Sequence, residues 1–459
     1  MRINLDYLSA LSKILTLVDH EASSLQGSRV PRMNLDRISR FLELLGDPHT
    51  GIPTIHVAGT KGKGSTVAIC ASILAAHGYQ TGMYTSPHLH TFRERMSLNL
   101  NPIAENVFAL LVEKIWCFAE DVGSSADLGR VTVFEFLTAM AFYYFNDNLV
   151  DSQVVEVGLG GRLDATNVFE SSIPIITAID LDHTAILGDT ITDIAREKCG
   201  IIKKGSKVIS APQTSEALRV LESVCAENNA ELILVGRDVK WESGESSLEG
   251  QEFVVNGRFG IYKLFTPLLG LHQLDNAAVA VGAIEVFQEE GIDVSMEAIV
   301  NGLESVKWPC RMEILQNHPL VVADGAHNPF AIDVLLKAVK KYFQFKRIIL
   351  VIGTHKDKDL HRMAKVFMPV VDVVIATQSR HPKAASLYDL KQVFADFDAV
   401  VTECDNVSIA IRRAIDIAES GDLILATGSL ITAAEAREEI LNIPPEVYTE
   451  YHRDSKSTN

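Results

Sequence analysis

No Cys-x-x-Cys pair occurs anywhere in this chain, and its six cysteines are scattered through 459 residues. That spacing excludes a disulfide framework and a cysteine-built zinc site, and it suits small thiols buried in a reducing compartment. No apolar stretch is long enough to span a bilayer, and charged and polar residues interrupt the apolar positions of the N-terminus, making it a poor secretory signal. Basic residues are in the minority. Forty-two Lys and Arg against 59 Asp and Glu give a formal net charge of −17, which argues against a nucleic-acid surface. No internal repeat and no low-complexity block is present. These absences predict a cytoplasmic protein with neither a membrane nor a nucleic acid as partner. Inside an acidic shell a polyanionic ligand needs a local basic pocket, for which Lys61, Lys63, Arg162 and Arg311 are the candidates.

What is present is an α/β pattern. Hydrophobic content of 47% with 22% charged residues is that of a globular protein, and the length favours two domains. Residues up to about 53 read as helical, with apolar positions at helical spacing over 35–45. Short apolar runs at 54–57, 81–85, 153–157, 173–179 and 207–210 read as strands, and 66–77, 108–119 and 134–145 read as helices. Strand and helix in alternation imply a mainly parallel sheet covered on both faces. Residues 231–267, with four glycines among short alternating segments, read as an antiparallel excursion, followed by a helix at 274–289. Near Trp308-Pro309 the pattern restarts. Five apolar runs, at 320–323, 347–352, 371–376, 399–402 and 423–426, alternate with helical stretches such as 331–342 and 408–419. This predicts a larger domain over 1–310 and a smaller, Rossmann-like α/β domain over 311–459, with a frayed polar tail from 444.

The segment Gly59-Thr60-Lys61-Gly62-Lys63-Gly64-Ser65 lies between the first strand and the first helix of that pattern. Glycines at a strand-to-helix turn let the backbone approach a ligand closely, and the free N–H groups of a helix N-terminus favour an anion. Lys63 adds a point charge for phosphate, and Ser65 a hydroxyl suited to Mg²⁺. The strict phosphate-loop pattern fails, because Val57 stands where its first glycine belongs. Strand, glycines, lysine, hydroxyl and helix still fall in order, which points to a nucleoside triphosphate.

Other strand ends carry chemistry too. Glu156 precedes the glycine-rich run Gly158-Leu159-Gly160-Gly161, and a strand-end carboxylate there suits Mg²⁺. His183 closes another strand after Asp182. Lys198 lies on a helix beyond, where a solvated charge is the plainer expectation. Asp324, in Asp324-Gly325-Ala326-His327-Asn328-Pro329, follows the first strand of the second domain and is placed to hydrogen-bond a ribose.

Together with Ser86 in Thr85-Ser86-Pro87-His88-Leu89, Glu197-Lys198 and His272-Gln273-Leu274-Asp275-Asn276-Ala277-Ala278, these segments occur in an order that resembles the folylpolyglutamate synthase and dihydrofolate synthase family, within the wider Mur-type ATP-dependent amide ligases. The resemblance runs from about residue 35 to 438, and 156–167 is its most distinctive stretch. It implies ligation of L-glutamate to folate, and in bifunctional members to dihydropteroate, through an acyl phosphate made with ATP. It also implies a monomer with two Mg²⁺ ions. By the same resemblance Gly59, Thr60, Lys61, Gly62, Lys63, Gly64 and Ser65 cradle the triphosphate, and Asn276, Arg311, Asp324 and His327 bind the nucleotide. Ser65, Ser86, Glu156 and His183 hold metal, Lys198 is carbamylated, and Thr132, Asp164 and Ala165 contact the pterin. Lys63, Glu156, His183 and Lys198 form the catalytic set.

Three positions depart from the family pattern. Cys310 stands where the linker usually has glycine, Cys199 replaces a small alanine, and Lys383 occupies an expected arginine position, where a bidentate grip on a carboxylate would be weaker. Two other readings remain. A cell-wall Mur ligase would carry a separate nucleotide-sugar domain ahead of the phosphate loop, where only about fifty residues stand here. A nucleotide-binding regulator without catalysis would have lost metal or lysine positions, and none is lost.

Overall fold

The structure, a computed structural model, describes residues 5–17, 34–125 and 127–446. The expected frayed tail therefore lies outside the described residues beyond 446. An eight-stranded sheet is built from β1 (Thr54–Ala58), β2 (Thr81–Tyr84), β3 (Met96–Leu98), β4 (Asn101–Pro102), β5 (Ser152–Glu156), β6 (Ile173–Ile176), β7 (Lys207–Ser210) and β8 (Glu231–Leu234). Its spatial order is β4-β3-β2-β5-β1-β6-β7-β8, parallel from β2 to β8, with β3 and β4 antiparallel at one edge. The central strands β1, β5 and β6 are buried along their whole length, as expected of strands covered on both faces.

The chain leaves β1 through the helix Lys63–His77, goes to β2 on one side, and later reaches β6 on the other. That reversal opens a crevice beyond the carboxyl ends of β5, β1 and β6, where α/β sheets bind ligands. The helix starts at the left-handed Gly62 and stops at Gly78, whose φ of 101° suits a residue without Cβ.

The antiparallel excursion is shorter than its sequence suggests. Residues Glu231–Leu234 are not part of it: they follow a thirteen-residue helix, Ser215–Glu227, which returns the chain to pair parallel with β7. Only β9 (Lys240–Ser246), β10 (Gln251–Asn256) and β11 (Ile261–Thr266) form the three-stranded antiparallel sheet. Its inner face packs Phe253, Val255, Tyr262 and Leu264 into the same core as the helices Lys63–His77 and Leu271–Glu289.

A six-stranded sheet follows, from β12 (Glu313–Asn317), β13 (Leu320–Ala323), β14 (Arg347–Ile352), β15 (Val373–Thr377), β16 (Val401–Cys404) and β17 (Asp422–Thr427), in the order β12-β13-β17-β14-β15-β16. All its pairs are parallel except the β12–β13 hairpin at the edge. Separate apolar clusters cover its two faces, one around Leu335, Met363 and Phe367, the other around Ile411, Ala414 and Ala433.

A buried pair fixes the helix Leu35–Leu44 to the first domain. Arg37 Nε lies 2.9 and 2.8 Å from the two Glu135 oxygens, and both residues are almost fully buried. Arg37→Ala leaves the buried Glu135 carboxylate without its counter-charge, with only its Thr132 donors, and removing one partner of a buried pair costs about 3–5 kcal/mol. Urea unfolding of this variant is expected to show a correspondingly lower midpoint, whereas an unchanged midpoint would mean that the Thr132 hydrogen bonds suffice to keep Glu135 buried.

Candidate active site

The carboxyl ends of both large sheets wall one cleft of about 1330 Å³. Single-ligand pockets usually hold roughly 300–1,000 Å³, so there is room for a nucleotide and a second substrate together. On the first sheet, the phosphate loop leaves β1 and is pinned to the chain beyond β6. Thr60 N and Lys61 N both donate to the Ala178 carbonyl, at 2.9 and 3.1 Å, and Thr60 Oγ1 donates to Asp180 O at 3.0 Å.

All three loop glycines lie too close to their neighbours for a side chain, and at two of them the backbone demands glycine as well. A Cβ on Gly59, whose φ is 151°, would lie 1.8 Å from Thr177 Oγ1, and one on Gly62, at φ 91°, would lie 2.3 Å from Asn276 Oδ1. Gly59→Ala therefore displaces either the loop or β6. Forced overpacking of this kind costs roughly 1–3 kcal/mol, so Mg–ADP affinity measured by calorimetry is expected to fall about tenfold or more. Wild-type affinity in that variant would show that the loop does not hold the nucleotide.

Lys63 and Glu156 face each other across the mouth of the crevice, with Nζ 3.9 Å from Oε1. The other Glu156 oxygen accepts the Ser86 backbone N–H at 3.2 Å. Burial pushes the Glu156 carboxyl up from its ordinary value, against the pull of Lys63, the Ser86 N–H and Arg311. A buried carboxylate with so few donors is suited to a cation. No group of three or more His, Cys, Asp and Glu side chains that could hold a metal ion is found among the described residues. Magnesium does not require one, since it keeps water and phosphate oxygens and takes one or two carboxylates. Glu156, with the Ser65 and Ser86 hydroxyls and His183, offers that kind of sparse donor set.

His183 caps a short helix in the left-handed conformation and its side chain is half-exposed on the cleft wall. Desolvation by the surrounding protein brings the imidazole down to about 4 despite the nearby Asp182 carboxylate, with the charges of Lys358, Lys63 and Lys198 adding to the fall. The ring is thus neutral at pH 7, the form that ligates a metal.

Asp182 itself holds the densest charge cluster in the cleft. Lys61 Nζ lies 2.9 Å from one of its oxygens, His327 Nε2 3.6 Å from the same oxygen, and Lys358 Nζ 3.6 Å from the other. Burial would raise this carboxyl, but its ion pair with Lys61 helps to hold it well below the carboxylate range. His327 Nδ1 lies 3.0 Å from the Gly325 carbonyl, which can only accept, so Nδ1 carries the proton and Nε2 faces Lys61. This cluster ties the phosphate loop to the second sheet. The sequence marks Asp182 only as the residue before His183, and the pairing of Asp182 with Lys61, His327 and Lys358 is not legible there, because it joins residues far apart in the chain.

Lys198 does not line the cleft. It is buried behind the loop, with Nζ donating to the Gly59 carbonyl at 2.8 Å. Burial, and next the charge of Lys63, bring its amine down to about 7. The expectation of a solvated helix charge is therefore overturned, because the glycine-rich run seats this helix end inward. A Cβ on Gly161 would lie 2.6 Å from the Glu197 carbonyl and 2.8 Å from that of Lys198. Arg162 is also displaced from its expected place: it pairs with Glu197 at 2.8 Å on the surface and does not line the cleft, whereas Lys61, Lys63 and Arg311 do.

The other candidates reach the cleft from several elements. Asn276 donates to Gln273 Oε1 at 2.9 Å beside Gly62. Asp324 accepts from the backbone of Met312 at 2.9 Å and of Ala326 at 2.8 Å, and burial raises its carboxyl against the charge of Arg311. Thr132 caps the helix Val133–Asp147 reciprocally with Glu135. Asp164 organises its own turn, accepting from Leu159 N at 2.9 Å and Thr166 N at 3.0 Å, with Ala165 beside it on the wall. Gly59, like Lys198, sits behind the wall rather than on it.

Comparison with known proteins agrees with this arrangement. Residues 57–284 match the model of the Mur ligase middle domain, and residues 310–430 that of the Mur ligase glutamate ligase domain. The dihydrofolate synthase/folylpolyglutamate synthase of Bacillus subtilis is 36% identical over 416 residues, covering 88% of this chain and 94% of the relative. A solved structure of Mycobacterium tuberculosis folylpolyglutamate synthase complexed with ADP superposes with a TM-score of 0.87 at 30% identity, covering 96% of this chain and 100% of the other. An Escherichia coli protein solved in complex with DHPP and ADP gives 0.81 at 30% identity, covering 96% and 99%.

Proposed function

This chain belongs to the folylpolyglutamate synthase/dihydrofolate synthase family of Mur-type ligases, and on that premise we propose that it uses ATP to join L-glutamate to folate, and also to dihydropteroate, through an acyl phosphate. The observation that carries the reading is the Lys63–Glu156 pair at the mouth of a cleft walled by both sheets. A carboxylate is a poor acylating group at neutral pH. Transfer of the γ-phosphoryl group to one of its oxygens gives ADP and a mixed anhydride. The neutral amine of glutamate then attacks the acyl carbon, and the tetrahedral intermediate collapses with loss of phosphate and a proton. Most of the barrier is lowered by positioning and charge neutralisation.

In this reading the Gly62–Ser65 turn and Lys63 hold the phosphates, helped by Gly59, Thr60 and Lys61. Asn276, Arg311, Asp324 and His327 hold the rest of the nucleotide. Ser65, Ser86, Glu156 and His183 would hold one or two Mg²⁺ ions, which supply charge neutralisation at the transferring phosphoryl group. Thr132, Asp164 and Ala165 line the part of the cleft assigned to the pterin. Lys198, with its amine near 7, is poised to react with CO₂ as the free base and so to exist as a carbamate. Domains 1–310 and 311–459 would close on the nucleotide and exclude water from the anhydride. No described helix is long and apolar enough to cross a membrane. A cytoplasmic monomer is the matching expectation, which light scattering tests for the oligomeric state.

The test is incubation with ATP, Mg²⁺, L-glutamate and either tetrahydrofolate or dihydropteroate, followed by mass spectrometry. Both acceptors are expected to gain glutamyl units with one ADP formed per amide. Product from tetrahydrofolate alone would remove the dihydropteroate activity, and no amide from either would remove the reading.

A further inference from the structure

We propose that Trp308 is a positioning residue that couples the phosphate loop to the linker between the domains. The inference rests on the nucleotide reading above, and it begins with the third glycine of the loop. Gly64 is not among the residues with positive φ, so its backbone places no demand for glycine. The demand comes from packing. A Cβ at this position would lie 2.7 Å from Trp308 Cζ2 and 3.2 Å from its Nε1. The indole therefore rests against the first turn of the helix Lys63–His77, between Lys63 and Ser65.

Two features show that the indole is held there by its surroundings. Its Nε1–H is buried without a hydrogen-bond partner among the described residues, an arrangement that folded proteins tolerate rarely. The linker after it takes the left-handed conformation at two residues other than glycine, Cys310 at φ 58° and Met312 at φ 47°. Cys310 thus adopts the backbone for which its family position ordinarily has glycine.

The far end of the linker is fastened to the nucleotide side of the second sheet. Met312 N donates to Asp324 Oδ2 at 2.9 Å, Gly325 N donates to the Cys310 carbonyl at 3.0 Å, and a Cβ on Gly325 would lie 2.9 Å from Arg311 Nη1. One indole and four further residues thus connect the helix turn facing the phosphates with the loop that carries Asp324. A shift of that turn when the triphosphate binds must move the indole, and the linker hands the movement to the second domain.

The test reads the indole directly. The chain has three tryptophans; in W116F/W241F the emission of Trp308 is recorded with and without Mg–AMPPCP, alongside small-angle scattering of Trp308→Ala and Trp308→Phe in the otherwise native chain. Coupling predicts a change in Trp308 emission on binding. In Trp308→Ala it predicts loss of nucleotide-induced compaction and about a tenfold or greater fall in kcat, with Mg–AMPPCP affinity changed less than about threefold, and partial recovery of both in Trp308→Phe. Unchanged emission in a protein that binds Mg–AMPPCP overturns the coupling alone. So does Trp308→Ala losing affinity and turnover in step with its melting temperature. Failure of the native chain to bind Mg–AMPPCP overturns the nucleotide reading, and the coupling with it.

Discussion

Lys63→Ala is expected to lower ligation by about a thousandfold or more while leaving the far-ultraviolet circular dichroism unchanged. Groups that neutralise charge on a transferring phosphoryl unit are worth about 10³–10⁵ in turnover, and Lys63 is the cation that meets Glu156 at the crevice. The fold should tolerate the change. The lysine sits in the first turn of its helix, where a positive charge opposes the dipole, so its removal costs the helix little. Glu156→Gln is the matching experiment from the other side. The amide keeps the shape and can still accept the Ser86 N–H, but it no longer offers a charge to a divalent ion. Near-native turnover in both variants would place the chemistry elsewhere.

Lys198→Ala is expected to lower turnover by about a hundredfold or more, on the scale of losing one preorganised electrostatic group, and the native enzyme is expected to depend on dissolved CO₂. With its amine near 7, Lys198 is largely free base above that pH and protonated below it. Carbamylation consumes the free base, so activity should fall as pH drops through about 7, and bicarbonate should restore it after CO₂ depletion. The carbamate nitrogen keeps one N–H, enough to retain the bond to the Gly59 carbonyl. The same shift sets a stability trend for the unmodified lysine. Its folded value lies below the ordinary 10.5, so the unfolded chain binds more protons between about 7 and 10.5, and this residue favours folding increasingly as pH rises through that window. Activity indifferent to CO₂, together with near-native turnover in Lys198→Ala, would contradict the carbamate.

How much of this was legible depended on whether a feature is local. The strands Lys207–Ser210, Leu320–Ala323 and Arg347–Ile352 match their apolar runs residue for residue, because a parallel strand covered on both faces writes a continuous hydrophobic signal. The edge hairpin β3–β4 and the strand β12 left no such trace, since edge strands are short and half polar. Glu231–Leu234 was misassigned because its own four residues cannot say whether the preceding helix returns the chain parallel. The phosphate loop was readable from glycine, lysine and hydroxyl spacing. The role of Gly64 was not, since its partner Trp308 lies more than two hundred residues on. Nor was the inward turn of Lys198, which depends on glycines in a different segment. Each of these is a long-range contact that a single chain, read locally, does not contain.

The central claim is that an acid group in this cleft is activated by phosphorylation before glutamate attacks it. The direct measurement uses an acceptor whose reacting carboxylate carries oxygen-18, turned over with ATP, Mg²⁺ and L-glutamate, and follows the label into the inorganic phosphate released. Transfer of one labelled oxygen per amide formed is the predicted result. Amide formation with unlabelled phosphate would contradict the acyl phosphate and require the bond to be made another way.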